Sequence, residues 1–430
     1  MPRRLLLPLL ALLAIVDVLL LAPLLGKRLL DAAPNDDLIG FLDAARRMRE
    51  LGTPYLPMHL DATLPLRPGW EVADAYVYSP LIAQMVTPLI DLSHALAWQI
   101  WSIASFLALV AAGILGGRAA GARITPLGVL AGVLLCAPVM TVASAFWHGR
   151  SEPFVALAVG AALVGIAPAA AATFAAILRL PAGAFGLPLL VAATNRRRFL
   201  VQALLAGLVI VAVGALFAPQ AWRDYLFGGA LLRTIGGNLG IGLDNDAPHA
   251  LVAFLFFYVG AIPETYDAAA DLVAIGPTAS ALIHAVRLLE LVVGAGLLIW
   301  SARIARDATR RHAAMAAAIV GGLFVGGLFW DYHNLPLLSI AVATALVGGP
   351  GVRTRLVGAA LLGIGSLLVT DVAMLLADAN GQSPAIFWPL RRIASAGCSV
   401  GVGLLILDAA RRSRLPVPKR RRARRLRGAD

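Results

Sequence analysis

Apolar runs recur from the first residues of this chain almost to its end, and no stretch between them is long enough to fold as a separate soluble domain. Crossing the hydrocarbon of a bilayer takes about 20 mostly apolar residues per helix. In lipid the backbone must satisfy its own hydrogen bonds, so a chain built of such runs folds as a bundle of helices. Composition agrees, since 60% of the 430 residues are hydrophobic and only 14% are charged. The expected class is an all-α polytopic membrane protein, with a single transmembrane domain over residues 1–410 and a basic tail over 411–430.

The net charge of +12 could suggest nucleic acid, but ten of the basic residues stand in the tail "RRSRLPVPKRRRARRLRG". Such a tail obeys the positive-inside rule and meets anionic lipid on the cytoplasmic face. Membrane lipids are therefore expected as partners and nucleic acid is not. Reading back from the tail, the basic clusters "GVRTR", "RIARDATRR" and "NRRRF" alternate with the loops "ADANGQSP", "WDYHN" and a long segment from Gln220 to Pro277. The N-terminal run is too long for a signal peptide and lacks a clean small-x-small cleavage site, so an uncleaved first span is expected. Both termini then lie in the cytoplasm of a multi-pass cell-membrane protein, and residues 27–79 form the first outer loop.

Between that loop and "NRRRF" the apolar runs shorten: Pro80 to Ile90, Ala95 to Leu115, Leu127 to Phe146, Phe154 to Ile166 and a pair broken at "RLPAG". In all the chain accommodates about 10–12 spans. Short broken helices at membrane depth must be buried in protein or line a polar cavity, which predicts an internal site opening outward. No internal repeat stands out. Cys136 and Cys398 both lie within apolar runs, so neither a disulfide framework nor a metal knuckle is expected.

Chemistry-bearing residues concentrate in the expected outer segments. In "NDDLIGFLDAARRMRELGTPY", Leu38, Phe41, Leu42, Ala45 and Met48 recur at helical spacing, with Arg46, Arg47 and Arg49 mainly on the remaining arc. This predicts an amphipathic helix lying on the membrane surface. Asp36 and Asp37 open it, either as helix caps or with one of them serving as a general base. Adjacent residues on a helix point about 100° apart, so only one of the two faces a site. In "DAYVYSPLIAQMVTPL", Tyr76 and Tyr78 stand just before a proline that opens an apolar helix. Arg150, between two apolar runs and beside His148 and Glu152, is costly in a membrane unless it faces a polar cavity. His333, and Arg391 with Arg392, are further cations near expected outer ends. "GLDNDAPH" superficially resembles a metal cluster around Asn245, but its spacing fits no specific metal site.

Taken in order, the helix start from Asp37 to Phe41, then Ala44, Ala45, Leu51, Gly52, Pro54 and Tyr55, then Tyr76, Tyr78, Pro80, Pro88 and Leu89, resemble glycosyltransferase family 87. In "HGRSEPF", Arg150 stands where that family usually carries an amide, and Arg179 in "ILRLP" stands where a lysine is common. "FWDYHNLPLL", with Trp330, Asp331, Tyr332 and His333, resembles a late family element with its histidine displaced by one position. The resemblance implies a GT-C-like bundle that moves a sugar, mannose or another hexose or pentose, from a polyprenyl-phosphate donor to a glycan or glycolipid acceptor at the outer face, with inversion. It implies no cofactor and no metal. Asp37 is then the expected base, with Asp36 second; Arg150, His333, Arg391 and Arg392 are the candidates for binding the donor phosphate, and Tyr76, Tyr78, Asn245 and Trp330 those for lining the substrate cavity. The alternative is a transporter or flippase for a lipid-linked or amphiphilic substrate. It would need ionisable groups at mid-membrane, for which Asp17, Glu290 and Asp371 are the candidates, Glu290 with Arg287 as partner.

Overall fold

The computed structural model describes residues 37–60, 76, 78–119, 149–231, 277–307, 310–327 and 331–340, with isolated positions such as 248 and 249. The expected first span, the apolar run at 127–146 and the last two spans lie outside the described residues, as do Asp36, Asn245, Trp330, Arg391 and Arg392. Among the described residues every regular element is a helix, as the apolar runs require.

The first helix, α1 (Asp37–Leu51), buries Leu38, Phe41, Leu42, Ala45 and Met48, the residues whose spacing predicts its apolar face. Arg46, Arg49 and Glu50 remain exposed. The face is covered by protein and not by lipid, which corrects the expectation of a surface helix. It packs on α2 (Pro80–Val86) and on the 3-10 turn Thr87–Leu89. Phe41 explains the preference, because its ring meets Tyr76, Tyr78 and Trp101 edge-on, a geometry that lipid tails cannot supply. Gly52, at φ 78°, ends the helix, and Arg47 Nε donates to the Pro54 carbonyl at 3.1 Å to hold the returning chain.

The centre of the described structure is α4 (Glu152–Leu163), a short helix whose buried face carries the small or β-branched Val155, Ala156, Ala158, Val159 and Ala162. With small side chains along that face, it admits neighbours on several sides: α3 (His94–Ala119), α5 (Pro168–Leu178) and the 3-10 segment Asp331–Leu337. At twelve residues it is too short to span on its own, and it is enclosed as such helices must be. Just past the 3-10 segment, the Ser339 hydroxyl faces the carbonyl oxygens of Ala112 on α3 and Ala156 on α4 at 3.0 and 3.2 Å. A Cβ on Gly116 would collide with the Ser339 backbone.

The break at "RLPAG" becomes a turn, followed by the 3-10 segment Ala182–Phe185 and α6 (Gly186–Ala192). Next come α7 (Arg196–Phe217), capped by the Asn195 side chain accepting from the Arg198 amide, and α8 (Pro219–Leu226). The last pair is α9 (Pro277–Ile304) and α10 (Arg311–Gly326), packed against each other. Among the described residues three helices are long and apolar enough to cross a membrane: α3, α7 and α9 from Ala281 onward. On α7, Leu204, Leu208, Leu216 and Phe217 are exposed, as expected of a helix bathed in lipid.

The Ser339 junction predicts a contrast. Gly116→Val overpacks the contact of α3 with Ser339 and should cost about 1–3 kcal/mol. Thermal unfolding in detergent should show its midpoint lowered by several degrees, whereas Gly296→Val, which meets open space on α9, should leave the midpoint unchanged.

Candidate active site

Six side chains from distant parts of the sequence meet where helices start and end: Asp37, Tyr78, Arg150, Glu152, Arg179 and His333. Asp37 is the first residue of α1 and Glu152 the first of α4, so both carboxylates sit at the positive end of a helix dipole. Arg179 directly follows α5, which runs back antiparallel to α4 and so ends beside its start. His333 lies in the 3-10 segment packed on α4.

A glycine brings the two halves together. Gly149 adopts φ 66°, and a Cβ there would lie 3.0 Å from the Leu38 Cβ and 3.1 Å from the Trp98 ring. Trp101 Nε1 donates to the Gly149 carbonyl at 2.6 Å. Only glycine lets the turn before α4 lie against the first turn of α1, and that contact sets Arg150 beside Asp37. Arg150 Nε forms an ion pair with Asp37 Oδ2, the two side chains retaining 12% and 19% of their exposure.

Deeper in, Glu152 is 1% exposed and bridges two bases. Its Oε1 lies 3.2 Å from Arg179 Nε and 3.5 Å from His333 Nε2, and Arg179 Nη2 also contacts His333 Nε2. Tyr78 joins this inner group to the outer pair. Its hydroxyl accepts from Arg150 Nη1 at 2.9 Å, while Arg179 Cζ lies 5.2 Å from its ring centroid in a cation-π contact. Two guanidinium groups thus face two carboxylates, with a histidine beside them. The charges balance only while nothing else is bound, and an incoming anion meets a ready set of donors.

The tyrosines differ in role. Tyr55 donates to the Tyr78 carbonyl at 2.8 Å and so fixes the backbone that presents Tyr78. Tyr76 is sunk in the core, where its hydroxyl donates to the Ser79 carbonyl at 2.6 Å and accepts from the Ala83 amide at 3.1 Å. Burial pushes the Tyr55 and Tyr76 hydroxyls well above the usual phenol range, so both remain neutral supports.

Of the sequence-predicted residues, the fold brings Asp37, Tyr78, Arg150 and His333 into one cluster and gives Tyr76 a packing position behind it. Glu152 and Arg179 complete the cluster although the sequence reading assigned neither a role. Their signal was present: Glu152 opens an apolar helix just two residues after Arg150, and Arg179 interrupts an apolar run just before a proline.

The sequence model of glycosyltransferase family 87 matches residues 76–330, more than half of the chain. The chain belongs to glycosyltransferase family 87. It is therefore a membrane glycosyltransferase, which decides against a transporter or flippase. No curated protein and no solved structure gives a significant match. Within this family 87 member the matched region contains Tyr78, Arg150, Glu152 and Arg179, while Asp37 and His333 flank it on either side. The cluster thus joins a family-typical middle to residues contributed by both flanks.

Gly149→Ala tests the geometry directly. A side chain in the left-handed region costs about 1–2 kcal/mol, and here it also pushes on Leu38 and Trp98. Sugar transfer by this variant should fall at least tenfold while the purified protein keeps its helical circular dichroism; undiminished transfer would show that the close approach of this turn to α1 is dispensable.

Proposed function

We propose that this enzyme moves a sugar, a hexose such as mannose or a pentose, from a polyprenyl-phosphate donor to a glycan or glycolipid acceptor, with inversion, in a GT-C-like bundle. The single observation that carries the proposal is a carboxylate paired with an arginine at the edge of a cluster holding a second arginine and a histidine. The reading sets the cluster at the outer face of the cell membrane with both termini in the cytoplasm, supported by the alternation of arginine clusters along the chain.

In this mechanism Arg150 has two alternative partners. Before the donor arrives it is neutralised by Asp37. The donor phosphate draws Arg150 away, with Arg179 and His333 as further donors, since charge-assisted bonds from guanidinium to phosphate are among the strongest in proteins. Asp37, relieved of its cation, becomes a better proton acceptor. The acceptor hydroxyl oxygen then attacks the anomeric carbon, the bond from that carbon to the phosphate oxygen breaks, and the hydroxyl proton passes to Asp37. Polyprenyl phosphate leaves with the electron pair, its charge held by the arginines, so no separate acid is required. Tyr78 keeps both arginines in register, and Glu152 keeps Arg179 and His333 in place. Asp36, Asn245, Trp330, Arg391 and Arg392 complete the proposed set as the alternative base, two substrate contacts and two more phosphate ligands.

General-base catalysis contributes about 10²–10⁴-fold, so Asp37→Asn should lower transfer of radiolabelled sugar in detergent by at least about 10²-fold. Its melting temperature should fall by only a few degrees, because the Asp37–Arg150 pair keeps part of its exposure to solvent and Arg150 retains its bond to the Tyr78 hydroxyl. Full activity in Asp37→Asn would pass the role to Asp36. Arg150→Gln should act mainly on the donor, raising its KM by about tenfold or more with a smaller effect on the KM of the acceptor; equal changes in both would remove Arg150 from phosphate binding.

A further inference from the structure

A second group of buried charges lies outside the cluster and has no part in the proposed chemistry. Arg287, Glu290 and His249 are 6%, 4% and 0% exposed. Arg287 lies six residues into the apolar span that begins at Ala281 on α9, about 9 Å along its axis, and ionisable side chains within such spans are costly and seldom kept without a task.

The contacts say what they hold. Arg287 Nη1 and Nη2 donate to the carbonyls of Phe324 and Val325 at 2.6 and 2.7 Å. These belong to the last turn of α10, whose terminal carbonyls have no partner within the helix. Nη1 also reaches Glu290 Oε2 at 3.1 Å. Glu290 in turn accepts the His249 backbone amide at 2.6 Å, and its Oε2 lies 2.8 Å from the His249 ring Nδ1. One arginine and one carboxylate therefore tie the end of α10 both to α9 and to the segment at His249.

The candidate site lies directly beyond that helix end. Gly327 closes α10 at φ 73°, and a Cβ there would stand 2.5 Å from Arg287 Nη2. Six residues later comes His333. On its other side the end of α10 rests on the turn after Arg179: a Cβ on Gly322 would collide with the Pro181 carbonyl, and one on Gly326 would lie 2.9 Å from the Pro181 ring. The last turn of α10 is thus wedged between Arg287 and the turn that carries Arg179, and it leads directly to His333.

We infer that Arg287 and Glu290 are positioning residues: by clamping the C-terminal turn of α10 they set where His333 and Arg179 stand, and so the geometry of the phosphate-binding side of the candidate site. This rests on the reading of His333 and Arg179 as donor ligands. Among the described residues no hydrogen bond or ion pair links Arg287 or Glu290 to the cluster itself.

The test uses the full-length protein in detergent, with Arg287→Met, the isosteric Glu290→Gln and a phosphate-bearing probe, farnesyl phosphate. Hydrogen exchange followed by mass spectrometry should show amides of 327–337 exchanging at least tenfold faster in both variants, with α1 unchanged. Farnesyl phosphate should bind at least tenfold more weakly to Arg287→Met than to the parent, but by a clearly smaller factor when the same change is made in a His333→Ala background, where only the part acting through Arg179 remains. A purely structural role predicts equal losses in both backgrounds, and that result, or unchanged exchange over 327–337, overturns the inference. Should Arg287→Met loosen the whole chain, Glu290→Gln decides the exchange comparison and, in the same two backgrounds, the binding cycle. A parent protein that fails to bind farnesyl phosphate contradicts the donor reading instead, and the exchange comparison still decides whether the clamp positions the 327–337 segment.

Discussion

The pairing of opposite charges among apolar helices is the constraint on which this structure depends. An arginine held between apolar runs is tolerable only if a carboxylate and further hydrogen-bond partners meet it, and here each buried arginine of the site has one. Arg150 meets Asp37 across a separation of more than 100 residues in sequence. Arg179 meets Glu152, which lies just two positions beyond Arg150. The short stretch Gly149 to Glu152 therefore sends a cation toward α1 and an anion toward α5, and the helices must arrange themselves around it. Helix α4 can take that central position because the side chains along its buried face are small, and the turn before it can approach α1 because Gly149 has no Cβ.

A site held by ion pairs of this kind is balanced in the resting state, and an incoming anion competes with a carboxylate for its guanidinium. In a family 87 glycosyltransferase that property has an evident use. The departing group of the proposed donor is a phosphate, and the guanidinium proposed to stabilise it is the one that pairs with the proposed base in the structure. One interaction would thus suppress proton abstraction in the empty enzyme and permit it once donor is bound. Tyr78, whose hydroxyl accepts from one arginine and whose ring lies under the other, keeps the two halves from moving independently.

Much of this was legible in the sequence, for physical reasons. The apolar positions of α1 followed from helical periodicity, and α3, α7, α9 and α10 from the length of their apolar runs. Asp37, Tyr78, Arg150 and His333 stood out because polar groups beside apolar runs need a reason to be there. The surface placement of α1 was not legible correctly, since periodicity shows that a face is apolar without showing whether lipid or protein covers it. Phe41 and the aromatic rings around it decide for protein. Glu152 and Arg179 gained their place only from the antiparallel return of α5 along α4, a tertiary relation that no local pattern encodes. The tie from Arg287 to the end of α10 is similar: the pairing with Glu290 within one helix could be foreseen, but the bonds to Phe324 and Val325 required the packing of α9 on α10.

The most direct measurement is a structure of the enzyme with a non-hydrolysable phosphonate analogue of a polyprenyl-phosphate sugar. The account predicts the phosphonate oxygens on Arg150 and Arg179, with Arg150 turned away from Asp37 and the Asp37 carboxylate on the face of the anomeric carbon opposite the phosphonate. An analogue bound elsewhere, with Arg150 still paired to Asp37, would contradict it.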